Sequence, residues 1–459
     1  MKTSNYILST DELSEYGLSG KRIIFSTRSV TSIIVDDADH HYLMNADYGN
    51  IEASLWSTLK EKEFVVPEEQ DEFEHIIRIN QEVKEAGNFL SVTIQPSANC
   101  QLGCHYCGQT HTKDYASDEV IDKYLDRLEY LLSLKPYDGI SITWYGGEPL
   151  TGYSAIRKAS GRLIAMCEQR GLSYTSNMIT NGLGLKPLIF KELVEKCKVT
   201  GYQITLDGIA ESHNKRRLTK SGEGTFDLIL KNIVDVSGTE IYREHNCHIS
   251  IRVNIDQTNY ESVDPLIEMI HMCDLQEKVS MYFAPIVDFG GNDAGKAGLK
   301  KDFFAQKEID WLLKCYEYDI PVNAMPDRSY AVCMAEKKDS EVYDAFGNIY
   351  ACWEFPYSDY AEGESLIGNL FSPKETYNEN ATLRDWNDVL RSGTTWCKTC
   401  THLPICGGAC PKSWYEGTPA CPAFKFNYQE KLILDYFMTK DRQFKVNELE
   451  KTPQLAEVY

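Results

Sequence analysis

The chain has 459 residues, 42% hydrophobic and 25% charged, which is enough apolar material for a large core and roughly three domains. A net charge of −21 argues against a nucleic-acid backbone or an anionic membrane surface as partner. No run approaches the roughly 18 apolar residues of a membrane span. The opening MKTSNYILSTDELSEYG lacks the apolar segment of a signal peptide, so the expected location is the cytoplasm. Fifteen cysteines in such a chain point to metal or cluster ligation rather than a disulfide framework.

Residues 20–46 read as three short strands, KRIIFST, VTSIIV and HHYLMN, with turn-forming Asp36, Asp37 and Asp39 between the last two. Two amphipathic helices are expected near 48–62 and 68–86. Ile51, Leu55 and Leu59 recur four apart in the first, and Phe73, Ile76, Ile77 and Ile79 form a stripe in the second. Residues 1–88 are thus a small α+β cap. A sheet edge there suits an extended peptide added as a further strand; a cap that merely covers the mouth or bottom of the next domain is the alternative.

From Leu90 to about Ile286 strands and helices alternate. Strands are expected at 90–95, 139–147, 174–180, 201–208, 248–255 and 280–286, with amphipathic segments such as 118–134 and 225–236 between them. Six β-α units predict a parallel sheet curled into a partial (β/α)6 TIM-like barrel over 89–314, with its chemistry at the strand ends. Beyond it, Gly290, Gly295 and Lys296 nearly match a phosphate loop. Ala297 stands where Ser or Thr would hold magnesium, so the stretch reads as a plain loop. A helix follows at 303–318, and residues 315–459 form a cysteine-rich C-terminal region.

The cysteines fall into two sets. Cys100, Cys104 and Cys107 lie in CQLGCHYC, directly after a strand. Three thiolates on one short loop suit three corners of a cubane iron–sulfur cluster and leave the fourth iron open. A three-thiol zinc site is the alternative. The second set is Cys333, Cys352, Cys397, Cys400, Cys406, Cys410 and Cys421. A zinc ribbon built on Cys397–Cys400 and Cys406–Cys410 would need pairs further apart. The remaining Cys167, Cys197, Cys247, Cys273 and Cys315 read as small buried hydrophobes.

With the strand-end GGEP (Gly146–Pro149), the cysteine loop and the barrel strongly resemble the radical S-adenosylmethionine (SAM) enzymes. The resemblance implies that Cys100, Cys104 and Cys107 hold a [4Fe–4S] cluster whose free iron is chelated by the amino and carboxylate groups of SAM. One electron then breaks the sulfonium bond and yields a 5′-deoxyadenosyl radical that removes hydrogen from the substrate. On the same resemblance Gly146, Gly147 and Glu148 meet the amino end of SAM, and Tyr106 packs near its adenine. Thr205 and Arg217, in ITLDGIAESHNKRR, would bind its carboxylate. Apart from the resemblance, Asp207 and His213 read as residues that only brace the loop.

The second cysteine set reproduces the seven-cysteine pattern of the SPASM extension, found on radical enzymes that modify peptides and proteins. It implies one auxiliary [4Fe–4S] cluster on Cys397, Cys400, Cys406 and Cys421. A second, nearer the active site, would sit on Cys333, Cys352 and Cys410, giving three clusters in all. Some relatives carry an eighth cysteine at the position of Asp327, so the second auxiliary cluster has either an open iron or an Asp327 ligand.

Over nearly the whole chain, then, the resemblance implies a maturase of a ribosomally made precursor peptide. The cap is similar to the leader-recognition module of such maturases, although only two helices are evident in it. A one-electron reductant such as flavodoxin or ferredoxin is the other implied partner. The proton acceptor is not assigned; Glu354 is a position to test. Two alternatives remain. One is an anaerobic sulfatase-maturating enzyme that forms formylglycine, which would place an aspartate where Trp353 stands. The other is a non-catalytic electron-transfer protein, against which the intact Cys100–Cys107 loop, Gly146, Gly147 and Arg217 argue.

Overall fold

The computed structural model describes residues 1–288, 292–337, 339–359, 365–378 and 383–451. In the cap, β1 (Lys2–Thr3) pairs with β5 (Val65–Val66), and β2 (Ile7–Ser9), β3 (Lys21–Ser26) and β4 (Thr31–Asp36) form an antiparallel sheet in that order. Three helices accompany them: α1 (Asp37–Met44), α2 (Ala53–Glu61) and α3 (Glu72–Ala86). The predicted third strand HHYLMN is therefore helical. Asp37 and Asp39 do not make a turn; they sit in the first turn of α1, where carboxylates favour the positive end of the helix dipole. Only Leu43 of α1 is buried, too little for a strand face.

The cap packs on the C-terminal region, and the end of α3 also meets the barrel, where Lys135 Nζ donates to the Gly87 carbonyl at 3.0 Å. Tyr6, Phe73, Ile76 and Ile77 pack on Trp386, Leu390 and Leu403, and Leu8, Ile23 and Phe25 pack on Ile405 and Leu432. Each such buried side chain contributes about 1.5–3 kcal/mol. Polar contacts fix the same docking: Lys84 to Glu336 at 2.8 Å, both buried, and Arg328 to Asn80 at 2.9 Å.

Six parallel strands follow: β6 (Phe89–Ile94), β7 (Gly139–Trp144), β8 (Ser173–Thr180), β9 (Val199–Thr205), β10 (His248–Ile255) and β11 (Val279–Pro285), neighbours in sequence order. This is the expected partial barrel. Its helices form where the sequence pattern places them. Over Asp118–Leu134, Ser117 caps the Val120 amide at 3.2 Å, and Val120, Ile121, Tyr124, Leu128 and Leu131 turn one buried face to the sheet. On β10, Ile249, Ile251, Val253 and Ile255 are fully buried, and the alternate positions carry Ser250, Arg252 and Asn254. Of the scattered cysteines, Cys167, Cys197, Cys247 and Cys315 are buried as expected; Cys273 is only half-buried, at the end of the helix Val263–Met272.

The sheet does not end with the barrel. β12 (Glu341–Tyr343) adds in parallel to β6, and β13 (Asn348–Tyr350) and β14 (Leu366–Asn369) extend it antiparallel, giving nine strands. The open β6 edge is thereby covered. Arg127 grips Glu341 through two hydrogen bonds, at 2.6 and 3.0 Å, and Tyr343 stacks on Tyr124 at 5.6 Å. The chain leaving β13 consequently returns over the barrel's strand ends, where Gln95 Nε2 donates to the Trp353 carbonyl at 3.0 Å. The near-match to a phosphate loop starts at Gly290, outside the described residues.

Candidate active site and the cysteine groups

One cavity at the C-terminal ends of the strands is lined by Cys100, Cys104 and Cys107 together with Tyr106, Gly146, Gly147, Glu148, Thr205 and Arg217. The cysteine loop is held from both sides. Gly103 N donates to the Leu218 carbonyl at 2.9 Å, and Glu148 N donates to the Asn99 carbonyl at 2.8 Å. A Cβ on Gly147 would stand 2.7 Å from the Asn99 carbonyl oxygen, and Gly146 has φ +111°. Glycine at both positions lets the β7 end abut the cysteine loop itself.

Glu148 is fully buried and already holds three donors: Thr180 Oγ1 at 2.6 Å, the Asn181 amide at 2.7 Å and the Leu150 amide at 3.0 Å. Burial pushes its carboxyl up, and these hydrogen bonds pull it back toward the charged form. A carboxylate accepts about four hydrogen bonds, so one position is left for a ligand's ammonium.

Tyr106 donates to Asp207 at 2.6 Å and accepts from Arg217 at 2.5 Å and Asn254 at 3.2 Å. Asp207 and His213 do brace this corner: Asp207 N donates to His213 Nδ1 at 3.2 Å, and Asp207 accepts the Asn254 amide at 3.0 Å. Arg217 is buried, and its Nε has no hydrogen-bond partner among the described residues. A buried guanidinium N–H without an acceptor costs stability until an anion takes it. That donor suits a ligand carboxylate.

Burial raises all three thiols, Cys100 to about 12, so each favours its neutral form in the free protein; a bound metal centre offsets that cost. No group of three His, Cys, Asp or Glu among the described residues is arranged around a single ion.

The same cavity holds residues that the sequence reading missed. Gln203, Arg252 and Asn254 line the cavity, with Tyr282 donating to Gln203 at 2.6 Å and Arg252 to Asn254 at 2.7 Å. The available signal was a polar residue at every second position of strands otherwise apolar. Tyr145, Trp353 and Glu354 also line it, with the Tyr145 and Trp353 rings 5.8 Å apart. Burial raises the Glu354 carboxyl, and Arg252 and Lys412 counter it. His111 and Gln109 also line the cavity, each with a side-chain nitrogen lacking a partner among the described residues.

Cys397, Cys400, Cys406 and Cys421 line a second, small cavity, with Trp396 and Lys425 beside them. Cys333, Cys352 and Cys410 form the remaining group and interact electrostatically with one another. Asp327 is exposed on a loop.

Residues 94–270 match the Radical SAM superfamily. The chain is 24% identical to the serine-type anaerobic sulfatase-maturating enzyme of Bacteroides thetaiotaomicron, over 72% of this chain and 84% of that one. It is 21% identical to the radical SAM cyclopropyl synthase TigE of Paramaledivibacter caminithermalis, over 68% of this chain and 67% of that one. The solved structure of native anSMEcpe with bound AdoMet and the Kp18Cys peptide superposes with a TM-score of 0.57 at 18% identity, covering 78% of this chain and 99% of that one.

The fold and site thus define a radical SAM domain. The chain carries this domain and is homologous to anaerobic sulfatase-maturating enzymes and to TigE, and the domain's family implies one [4Fe–4S] cluster and SAM. No helix among the described residues is long and apolar enough to cross a membrane.

Proposed function

We propose that this enzyme oxidatively modifies a residue of a ribosomally made precursor peptide, forming a cross-link or a related bond. The observation that carries the reading is the cap. A native anSMEcpe chain is covered in full by 79% of this chain, and the remaining fifth is about the size of residues 1–88. That module has the three-stranded sheet β2–β3–β4, the β1–β5 pair and three helices, with β5 lying between α2 and α3, and among the described residues no strand pairs with the outer side of β4. A leader peptide would add there as a fourth strand. Peptides and proteins are also what the relatives' names and the peptide-bound structure point to.

In this reading Cys100, Cys104 and Cys107 hold the SAM-binding cluster, Glu148 takes the ligand's ammonium, and Arg217 and Thr205 take its carboxylate beside Tyr106. When bound, cluster and SAM supply a radical that abstracts hydrogen. Cys397, Cys400, Cys406 and Cys421 hold one auxiliary cluster, and Cys333, Cys352 and Cys410 hold another with an open iron or an Asp327 ligand. Glu354, in the cavity wall and facing Arg252, accepts the proton released as the new bond forms. The domains are 1–88, 89–314 and 315–459.

The test is mass spectrometry of anaerobically reconstituted enzyme with SAM, a strong reductant and the short peptide encoded beside this gene. The expected result is a loss of hydrogens on the peptide that depends on Cys100. An unchanged peptide alongside 5′-deoxyadenosine production overturns the substrate class.

A sulfatase-maturating activity is the second reading, favoured by the match to 84% of the Bacteroides enzyme. Against it, Trp353 stands where an aspartate is expected, its ring packed on Tyr145. Conversion of a sulfatase peptide to formylglycine would establish it.

A further inference from the structure

Two side chains in the active-site cavity are left over when SAM and its cluster are assigned their residues. Gln109 and His111 follow Cys107, the last cysteine of the loop. Both line the cavity, each with a buried Nε2 that lacks a partner among the described residues. Buried polar groups are ordinarily paired, so two such groups in one wall mark a place for a ligand. Loose packing is not the cause, because the backbone around them is pinned. Thr110 N donates to the Tyr357 carbonyl at 2.5 Å, and Thr112 N donates to the Ala98 carbonyl at 3.1 Å. Thr110 and Thr112 are exposed, while Gln109 and His111 face the cavity. That alternation sets the two side chains on one side of the chain, about 7 Å apart. Burial, with the charge of Lys220, holds the His111 imidazole neutral and lowers its pKa to about 4. A neutral imidazole offers one N–H and one bare nitrogen, and the Gln109 Nε2 offers only hydrogens. An ammonium group is repelled by Lys220 there. A carboxylate has no hydrogen for the bare nitrogen, and Glu354 shares the cavity. A carboxamide has a carbonyl for one partner and an N–H for the other, pointing in opposite directions.

We propose that Gln109 and His111 are specificity residues that clamp one uncharged carboxamide of the substrate, either a peptide group of its backbone or the side chain of an Asn or Gln. Gln109 Nε2 donates to the amide carbonyl, and the amide N–H donates to His111 Nε2. The clamp seats the substrate beside the cysteine loop, where the hydrogen is removed, and it makes or breaks no covalent bond. It rests on the reading that the substrate is a peptide.

The experiment is an anaerobic binding titration of the enzyme, loaded with clusters and SAM, with the precursor peptide encoded beside this gene. Gln109→Ala and His111→Ala should each raise the peptide's Kd about three- to tenfold. His111→Gln, whose amide oxygen can stand in for the imidazole nitrogen, should return it to within about twofold of wild type. Iron content and visible absorption verify the clusters in each variant. The amide is then located on the peptide by replacing single backbone amides of the core with esters, and single Asn, Gln, Asp or Glu residues with Ala. One replacement should weaken binding to wild type and cost nothing further in His111→Ala. An ester marks a backbone group, and an Asn or Gln marks a side chain. A peptide Kd unchanged in both alanine variants overturns the proposal, as does SAM affinity that falls while the peptide Kd holds. It is overturned equally if no replacement depends on His111, or if the one that does is an Asp or Glu. A peptide that fails to bind the wild-type enzyme is a separate outcome; it removes the precursor-peptide reading and the clamp with it.

Discussion

Two groups of thiols in this molecule lie in opposite surroundings. Around Cys100, Cys104 and Cys107 the wall is polar and incomplete: Arg217, Gln109 and His111 carry buried nitrogens without partners among the described residues. Around Cys397, Cys400, Cys406 and Cys421 the wall is mostly apolar, and the N–H groups of Trp396 and Lys425 already meet Cys421. Buried donors are ordinarily satisfied, so the unused ones mark where a ligand belongs. The difference parallels that between open reacting metal sites and closed ones. Counting cysteines does not separate the two groups; their neighbours' free hydrogen-bonding capacity does.

The largest effects should come from exchanging the two groups' roles by mutation. Cys100→Ala is expected to reduce SAM cleavage to background, with or without peptide. Cys421→Ala should leave SAM cleavage without peptide within about threefold, because that site lies apart from the ligand cavity, while peptide product falls by about tenfold or more. Quantifying 5′-deoxyadenosine and modified peptide side by side checks both. Equal loss of cleavage in the two variants would erase the distinction between the two thiol groups.

A middle-sized effect isolates the unused donor. Arg217→Met keeps the stem's packing and removes the guanidinium. A charge-assisted hydrogen bond contributes about 1.5–3 kcal/mol, so SAM binding should weaken about 10- to 150-fold. Equilibrium dialysis on the cluster-loaded enzyme measures it. Affinity within about twofold of wild type would mean that Arg217 serves only Tyr106 and the loop.

Much of this site was legible because the barrel announces itself locally. Parallel strands buried on both faces read as apolar runs, and Cys100–Cys107, Gly146–Gly147 and Arg217 fall at their ends. What escaped depends on partners distant in sequence. β12 to β14 are three or four residues long, too short to show a period, and exist because β6 offered an open edge and Arg127 a partner for Glu341. The cap's seat on Ile405 and Leu432 is invisible in residues 1–88 alone. Helix α1 was misread because HHYLMN alternates well enough for a strand, while the two aspartates that start the helix look like turn residues. Arg252 and Gln203 were passed over for a different reason: a polar residue inside a strand is informative only once that strand is known to line a lumen.

The smallest expected effect concerns the loop that aims Arg217. His213 is fully buried; its carbonyl accepts the Arg217 amide at 2.9 Å, and its Nε2 meets Thr225 at 3.1 Å. Burial, with the charges of Arg217 and Arg216, holds the imidazole neutral and lowers its pKa to about 2. The unfolded chain takes up a proton near the ordinary value of about 6.5, and the folded chain refuses it until far lower pH. Below about 6.5 the unfolded state therefore binds more protons, and stability falls as pH falls, by up to about 2 kcal/mol down to about pH 5 from this residue. His213→Gln keeps a neutral acceptor and donor but cannot be protonated. Denaturant unfolding of the two proteins across that range should show a shallower loss in the variant. If the two slopes coincide, His213 is solvated more than its packing implies, and Arg217 is aimed by Asp207 and Tyr106 alone.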